Sequence, residues 1–287
     1  MNTIYIYLMG GLGNQLFMIF NGVSFAMDNN IDYKILSLVN KTYSGTETYW
    51  NTLLDAFKEK YGLVSEHLET YMEPYHHYVP IPSTISEQNY IIQGYFQSYK
   101  YFENNYDKFK QIMQLQQKIE NVRNKYISIL NDGKKTIAMH FRLGDYLGLQ
   151  MYHYVQRPEY YVNALLQFEK DIQDKNENMH DYKILYFYEQ KDAYLIAQYI
   201  HFIKNTTRFN CNFVPIDCNI PDWEQMLLMA SCDHLIIANS TFSWWGAYFN
   251  ENTQKQVYYP SIWFGPAYSD KNTNDMFPDT WKMISST

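Results

Sequence analysis

Two polar side chains, His140 and Arg142, stand at the end of an apolar segment of the chain. Residues 137–139 are apolar on both faces of an extended backbone, which is typical of a buried strand in a parallel sheet. Side chains alternate along a strand, so His140 and Arg142 share one face at its carboxyl end. Ligands of open α/β sheets bind beyond such strand ends, at the point where the chain order reverses.

Arg142 is one of only four arginines in the chain. A guanidinium at a buried strand end is costly unless a carboxylate or a bound anion neutralises it. Two explanations are open on the sequence: an ion pair between Arg142 and the nearby Asp145, or a site for an anionic ligand. We favour the anion site, because a second strand end carries groups that suit the same ligand.

The second strand end follows an apolar strand predicted at residues 234–238 and leads into Ser240, Thr241 and Ser243. Main-chain N–H groups at a helix start, with hydroxyls beside them, form a natural phosphate site. An N-cap at Ser240 followed by aromatic packing would explain the same residues without a ligand. We predict that the two strand ends are adjacent, so that Arg142 and these hydroxyls offer donors to one anion.

A glycine-rich turn at residues 10–13 lies between a predicted strand and a predicted helix. Gly11 and Gly13 fit the dinucleotide fingerprint, but Leu16 occupies the third glycine position, where a small residue lets helix and strand pack closely. We therefore interpret the turn as a place where a substrate approaches the backbone, with Asn14 as a polar group at the cleft. A nicotinamide cofactor at this turn is the alternative.

The chain of 287 residues has the composition of a globular protein, with 46% hydrophobic and 18% charged residues. Strand and helix patterns alternate over residues 1–132 and 133–287, which predicts an α/β protein of two Rossmann-like domains that face each other across a cleft. A long amphipathic helix is predicted over residues 109–130. Turn-forming residues at 131–133 separate the two domains.

The formal net charge of −7 argues against general affinity for nucleic acid or for an anionic membrane surface, since both need basic patches. No apolar run reaches the ~18 residues of a membrane span, and no secretory signal is recognised at the N-terminus. The three cysteines show no C-x-x-C spacing. We expect a cytoplasmic protein with free thiols and no membrane span.

Three segments, in this order, resemble the α-1,2-fucosyltransferases of glycosyltransferase family eleven. They are GGLGNQ at residues 10–15, HFRLGDY at 140–146 and NSTFSWWGA at 239–247. The resemblance implies a GT-B-like fold with GDP-fucose on the C-terminal domain and the acceptor facing the N-terminal domain. It also implies inverting transfer of L-fucose to the 2-hydroxyl of a galactoside on a glycan, with no cofactor and no metal ion.

The resemblance also implies roles for individual residues. Arg142 would hold the donor pyrophosphate, and His140 would lie near the nucleoside. The remaining residues expected to bind the donor are Gly11, Gly13, Asp222, Ser240, Thr241, Phe242 and Ser243. Related fucosyltransferases place the asparagine of their glycine turn at the reaction centre, which suggests that role for Asn14. Apart from the resemblance, Asp145 is the candidate general base, because it lies close to Arg142 in the sequence.

One position departs from the family pattern. The family usually has two adjacent arginines in the segment around Arg142, and the second position is Leu143 here. Either the site needs only Arg142, or donor affinity is weakened. The alternatives to fucosyl transfer are transfer of another GDP-sugar, a non-catalytic sugar-binding module of the same fold, and a nicotinamide-dependent oxidoreductase.

Overall fold

The computed structural model describes residues 2–38, 41–42, 45–64, 67–173 and 175–287. The chain divides into two compact units. The first unit comprises Met1–Lys118 and Lys271–Pro278, and the second comprises Ile119–Asp270 and Asp279–Thr287.

The first unit is built on a parallel sheet of five strands in the order β3-β2-β1-β5-β4. The strands are β1 (Thr3–Tyr7), β2 (Asp32–Leu36), β3 (Tyr61–Gly62), β4 (Glu69–Met72) and β5 (Tyr90–Gln93). The helices up to the start of the second sheet are α1 (Leu12–Asn29), α2 (Tyr106–Ile112), α3 (Leu115–Lys125) and α4 (Ile127–Leu130). Because β1 pairs with β5 as well as β2, the chain order reverses between β1 and β5.

Helix α1 packs closely on β1. Its apolar side chains are buried, as are Ile4 and Ile6 of the strand. The close approach depends on Gly22, because a Cβ atom there would lie only 2.4 Å from Cγ1 of Ile6. The glycine therefore sets the distance between the helix and the strand that leads into the turn at residues 10–13.

The second unit contains a parallel sheet of six strands in the order β11-β10-β9-β6-β7-β8. Its strands are β6 (Lys135–His140), β7 (Tyr182–Phe187), β8 (Asn212–Pro215), β9 (His234–Ile236), β10 (Val257–Pro260) and β11 (Lys282–Ile284). Its helices are α5 (Pro158–Gln173), α6 (Ala193–Thr207), α7 (Asp222–Ala230) and α8 (Thr241–Phe249). This is the doubly wound strand order of dinucleotide-binding folds, with its reversal between β6 and β9. The predicted α/β architecture of two Rossmann-like parts is confirmed.

Two buried tyrosines of α5 donate hydrogen bonds to the main chain of the second sheet and of the segment after β9. Tyr160 donates a hydrogen bond to the carbonyl of Ile237 (2.6 Å), and Tyr161 donates to that of His140 (3.1 Å). Both tyrosine rings are fully buried, and burial raises the pKa of each hydroxyl well above its usual value. The hydroxyls thus act as neutral donors that fix the ends of β6 and of the extended chain after β9.

Some predicted elements differ in the structure. The single helix predicted over residues 109–130 is wrong, because the chain forms α2, α3 and α4 there. Gln114 adopts a left-handed conformation (φ 50°), which no α-helix can propagate. The strands β3, β4, β8 and β11 were not predicted, since each is short and at or near a sheet edge.

The boundary between the two compact units does not coincide with the predicted domain boundary. The boundary predicted between residues 132 and 133 falls inside the second unit, on the segment between α4 and β6. The residues just before it contact this unit, since Lys125 pairs with Glu224 at 2.7 Å. The predicted boundary, as a statement about separate domains, stays a prediction. In the described part of the chain, no helix is both long enough and apolar enough to cross a membrane.

Replacing Gly22 with alanine should lower the free energy of unfolding, as measured by urea denaturation. The added methyl would collide with the stiff, buried side chain of Ile6, and overpacking of this kind costs about 1–3 kcal/mol. The higher helix propensity of alanine offsets about 1 kcal/mol of this cost, so we expect a net loss of about 1 kcal/mol. Gly62→Ala is the matched control, since a Cβ there meets nothing within 4 Å. A Gly22→Ala variant as stable as the wild type would contradict the packing argument.

Candidate functional site

The carboxyl ends of β6 and β9 lie side by side at the reversal point of the second sheet. The two strands pair in parallel, with Ala138 opposite Leu235 and Met139 opposite Ile236. The predicted adjacency of the two strand ends is therefore confirmed. It brings the segment after His140 and the segment that starts α8 to the same edge of the sheet, where ligands of this fold class bind.

Arg142 is held by two carboxylates. Its Nη2 atom lies 2.6 Å from Oδ1 of Asp145, and its Nη1 atom donates to Oε1 of Glu189. The guanidinium lies over the ring of Tyr146, 5.2 Å from the ring centroid, and the side chain is 29% exposed. The ion pair with Asp145, which was one explanation of the sequence, is present. An anionic ligand at Arg142 must therefore approach a guanidinium that already has carboxylate partners.

The loop after β7 was not identified from the sequence as part of this site. Its Lys191 lies 2.6 Å from Oε2 of Glu189, and the carboxylate of Asp192 accepts a hydrogen bond from the main-chain N–H of Gly144 (2.8 Å). The hydrogen bond to Glu189 raises the pKa of Lys191. Charged residues directly after an apolar strand were the available signal, because the same pattern pointed to Arg142.

Tyr146 connects the loops that follow β6 and β9. Its hydroxyl donates to the carbonyl of Asn239 (3.2 Å), and its ring stacks on His153 with centroids 4.4 Å apart. The Asn239 side-chain amide in turn donates to the carbonyls of Tyr154 (2.7 Å) and Trp263 (2.9 Å). Burial raises the pKa of Tyr146 to about 12, so its hydroxyl stays a neutral donor.

The start of α8 presents main-chain donors at the end of β9. Ser240 is the N-cap residue, with extended backbone (φ −140°, ψ 128°) and no capping hydrogen bond from its side chain. The first N–H groups of a helix have no partner within the helix, so the start of α8 can receive an anion. Ser243 is fully buried and its Oγ lies 3.3 Å from the carbonyl oxygen of Ser240. It supports this turn, and its contact with phosphate stays a prediction.

His140 is buried beside α8. Its ring centroid lies 5.6 Å from that of Phe242, and its Nδ1 atom has no hydrogen-bond partner among the described residues. Burial, and to a lesser degree the charge of Arg142, lowers the pKa of His140 to about 3. The imidazole is therefore neutral at physiological pH, and its unpartnered Nδ1 atom is buried.

Helix α7 begins at the same edge of the sheet as α8. Each helix runs back along the sheet from a carboxyl end, and the two pack tightly, since a Cβ on Gly246 would lie 3.0 Å from Cβ of Met229. Asp222 is the first residue of α7, and its carboxylate accepts a hydrogen bond from the N–H of Trp223 (2.7 Å). The predicted role of Asp222 in nucleoside recognition stays a prediction.

The glycine turn occupies the reversal point of the first sheet. Gly10 has a left-handed backbone (φ +67°), and its carbonyl accepts hydrogen bonds from Thr46 (2.6 Å) and Gln15 (3.0 Å). Gly11 is the exposed N-cap residue of α1, and Gly13 is buried in the first turn. The turn thus leaves backbone accessible at Gly11, as a close approach by a substrate requires.

Asn14 is oriented by a residue that follows β5. Nε2 of Gln97 donates to Oδ1 of Asn14 at 3.0 Å. The carboxylate of Glu73 accepts hydrogen bonds from the N–H groups of Tyr95 (2.7 Å) and Phe96 (3.0 Å), and Phe96 is left-handed (φ 49°). These two hydrogen bonds hold the loop that contains Gln97. Neither Glu73 nor Gln97 was among the predicted site residues, since their roles depend on strand neighbours distant in sequence.

The predicted site residues thus fall into two groups. Gly11, Gly13 and Asn14 belong to the first unit. The group in the second unit comprises His140, Arg142, Asp145, Asp222, Ser240, Thr241, Phe242 and Ser243. Within the described ranges, no group of three or more His, Cys, Asp or Glu side chains is arranged to hold a metal ion.

Two findings place this fold and this sequence among known proteins. The structure of ADP-heptose lipopolysaccharide heptosyltransferase II from Escherichia coli is similar in fold, with a TM-score of 0.50 and 9% identity, and the match covers 99% of this chain and 90% of that one. The fold is GT-B-like. The sequence model of glycosyl transferase family 11 matches residues 51–284. The chain belongs to glycosyl transferase family 11.

Two curated relatives come from Escherichia coli. The O-antigen biosynthesis glycosyltransferase WbnK is 26% identical over 204 residues, which are 68% of this chain and 61% of that protein. The match therefore spans less than two thirds of WbnK. An alpha-1,2-colitosyltransferase is 24% identical over an alignment of 312 positions, gaps included, that covers 99% of each chain.

The free energy of unfolding should fall between pH 7 and pH 5, in part because of His140. The folded-state pKa of about 3 lies below the value near 6.5 in the unfolded chain, so only the unfolded state takes up a proton in this range. Protonation of His140 in the unfolded chain lowers the free energy of unfolding by about 2 kcal/mol between these pH values. Urea denaturation should show a smaller pH effect for His140→Gln than for the wild type. His201→Gln, at an exposed position, should leave the profile unchanged, and parallel profiles for wild type and His140→Gln would contradict the assignment.

Proposed function

We propose that this protein transfers L-fucose from GDP-fucose to the 2-hydroxyl of a galactose-terminated glycan, with inversion at the anomeric carbon. The proposal is supported by family membership and by one observation of the site. Arg142 and the start of α8 follow two adjacent strands at the reversal point of the second sheet. These groups suit the diphosphate of a nucleotide sugar, because a guanidinium and main-chain N–H groups both favour phosphate oxygens.

The proposed mechanism places positive charge where the leaving group becomes negative. Glycosyl transfer passes through an oxocarbenium-like transition state while negative charge develops on the departing GDP. Arg142 is already oriented by its pairing with Asp145 and by the ring of Tyr146 beneath it, so little reorganisation is needed when the charge develops. The start of α8 supplies the second set of donors. The proposal assigns the charge to these groups and invokes no metal ion.

Inversion requires one base, which removes the proton of the acceptor hydroxyl, since the diphosphate leaves without protonation. Asp145 is the candidate in the second unit, although its Oδ1 atom is paired with Arg142. Asn14, which Gln97 orients in the first unit, is proposed to position the reacting groups. Its amide is not a base, so it would act by hydrogen bonding.

Transfer of colitose is the second candidate function. The relative that matches 99% of each chain is an alpha-1,2-colitosyltransferase. Colitose is L-fucose without the hydroxyl at carbon 3, so the two donors offer the same nucleotide and differ by one polar group. Rejection of the wrong sugar would therefore depend on a hydrogen bond to that hydroxyl, and direct comparison of GDP-fucose with GDP-colitose separates the two functions.

Donor screening by thermal denaturation tests the proposal. A ligand at 100 times its dissociation constant adds about 2.7 kcal/mol to the free energy of unfolding. GDP and GDP-fucose should stabilise the protein, whereas UDP-sugars and NADH should not. Galactosides added to protein and GDP-fucose should then release GDP. Binding without release of GDP would indicate a sugar-binding module, and stabilisation by NADH alone would support an oxidoreductase.

Replacing Arg142 with alanine should reduce kcat/KM for GDP-fucose by about 10²–10³-fold, as for other preorganised donors that meet developing charge. Arg123→Ala is the matched control. Its Nη2 atom lies 3.5 Å from the carbonyl oxygen of Ser231, which follows α7 at the opposite end from the site. The control should keep wild-type activity in the same GDP-release assay. An Arg142→Ala variant within tenfold of wild type would remove Arg142 from the reaction.

Replacing Asp145 with asparagine tests the general base. If the carboxylate removes the acceptor proton, kcat should fall by about 10²–10⁴-fold. Asparagine keeps the size of the side chain, so the affinity for GDP, measured by calorimetry, should change much less. Full turnover by Asp145→Asn would exclude this role. A loss of GDP affinity equal to the loss of turnover would show that the residue acts only through Arg142.

A further inference from the structure

The loop after β7 lies against the segment that carries Arg142. Strand β7 is the neighbour of β6, and the N–H of Phe141 still bonds the carbonyl of Phe187 (2.9 Å) beyond the last residue of β6. The carboxylate of Asp192 then accepts the N–H of Gly144 (2.8 Å). The loops after β6 and β7 are therefore hydrogen-bonded to each other where they leave the sheet.

This arrangement places the side chain of Lys191 over the backbone of Gly144. A Cβ atom at Gly144 would lie 2.9 Å from Cε and 3.0 Å from Nζ of Lys191, and the backbone there is left-handed (φ +32°). The glycine leaves the space that the lysine occupies. The Lys191 side chain is 58% exposed, so its ammonium group is accessible to a ligand.

The carboxylate of Glu189 contacts both cations, Arg142 and Lys191. Oε1 of Glu189 accepts from Arg142, and Oε2 lies 2.6 Å from Nζ of Lys191. With Asp145 on the other side of the guanidinium, the cluster contains two positive and two negative side chains. Exposed ion pairs of this kind add little stability, so stability alone is a weak reason for the arrangement.

We propose that Lys191 and Arg142 together bind the diphosphate of the donor, and that Glu189 is the counter-ion that this diphosphate displaces. The inference rests on the proposed function, because it names further residues of the same donor site. A diphosphate brings several acceptor oxygens, and can bond both cations at once. Its negative charge repels the Glu189 carboxylate, which is 36% exposed and can turn toward solvent.

Position 143, next to Arg142, does not supply the second cation of this site; Lys191 supplies it from the loop after β7. Leu143 is fully buried in the apolar core of the second unit, in the same cluster as Phe141 and Tyr161. A side chain at position 143 therefore points away from the edge where Arg142 stands. Charge placed there would lie in the core, whereas Lys191 reaches the edge from the β7 loop.

Calorimetric titration with GDP and GMP tests this inference on the full-length protein. Lys191→Gln should weaken GDP binding by about tenfold, the scale of one charge-assisted hydrogen bond at a partly exposed site. GMP binding should change less than threefold, because GMP lacks the second phosphate. Lys191→Arg should restore affinity for GDP, and Lys170→Gln, at an exposed position near the end of α5, should have no effect.

The Glu189→Gln variant should change the affinity for GDP in the opposite direction. If Glu189 is a displaced counter-ion, its neutralisation should tighten GDP binding several-fold, because a competing negative charge is removed. If Glu189 instead only orients Arg142, the same variant would weaken GDP binding, and the counter-ion role would be overturned. Thermal unfolding without ligand checks that each variant is folded.

The outcomes separate this inference from the proposed function. A wild-type protein that does not bind GDP would overturn both. A wild-type protein that binds GDP, with a Lys191→Gln variant that binds it equally well, would overturn the role of Lys191 alone. Equal losses for GDP and GMP would overturn the assignment of Lys191 to the diphosphate.

Discussion

The parallel pairing of β6 with β9 is the constraint on which the candidate site of the second unit depends. These two strands are far apart in the chain, yet their carboxyl ends leave the sheet side by side. A guanidinium from one segment and the start of a helix from the other therefore meet at one edge. Neither group alone is a strong anion site, since a lone arginine can pair with a carboxylate and a lone helix start can be capped.

Neutral hydrogen bonds hold this edge in shape. Tyr160, Tyr161 and Tyr146 each donate to a main-chain carbonyl at or just beyond a strand end. A buried tyrosine hydroxyl resists ionisation and so remains a donor at any physiological pH. Asn239 extends the same network to Tyr154 and Trp263. These neutral groups position the main chain at the ends of β6 and β9 without adding charges that would compete with those of a ligand.

Charge is concentrated in one cluster beside this neutral frame. Arg142 is oriented by Asp145 and Glu189, so the guanidinium is ordered before a ligand arrives. The same carboxylates oppose the approach of an anion, which makes affinity a balance between preorganisation and competition. A transferase must also release its nucleotide product, and a site with its own counter-ions can exchange an anion without leaving bare buried charge.

Local patterns were sufficient to predict the strand before His140 and the helix that follows Ser240. Each is determined by nearby residues: an apolar run or an N-cap. The short strands β3 and β8 were not predicted, because they form by pairing with β2 and β7, which are other segments of the chain. The same holds for the placement of Lys191 beside Arg142. The sequence by itself determined which side chains stand at the strand ends and that the fold is α/β. Only the tertiary structure decided that the loop after β7 joins them, because the order of strands in a parallel sheet is set by pairing between residues remote in the chain.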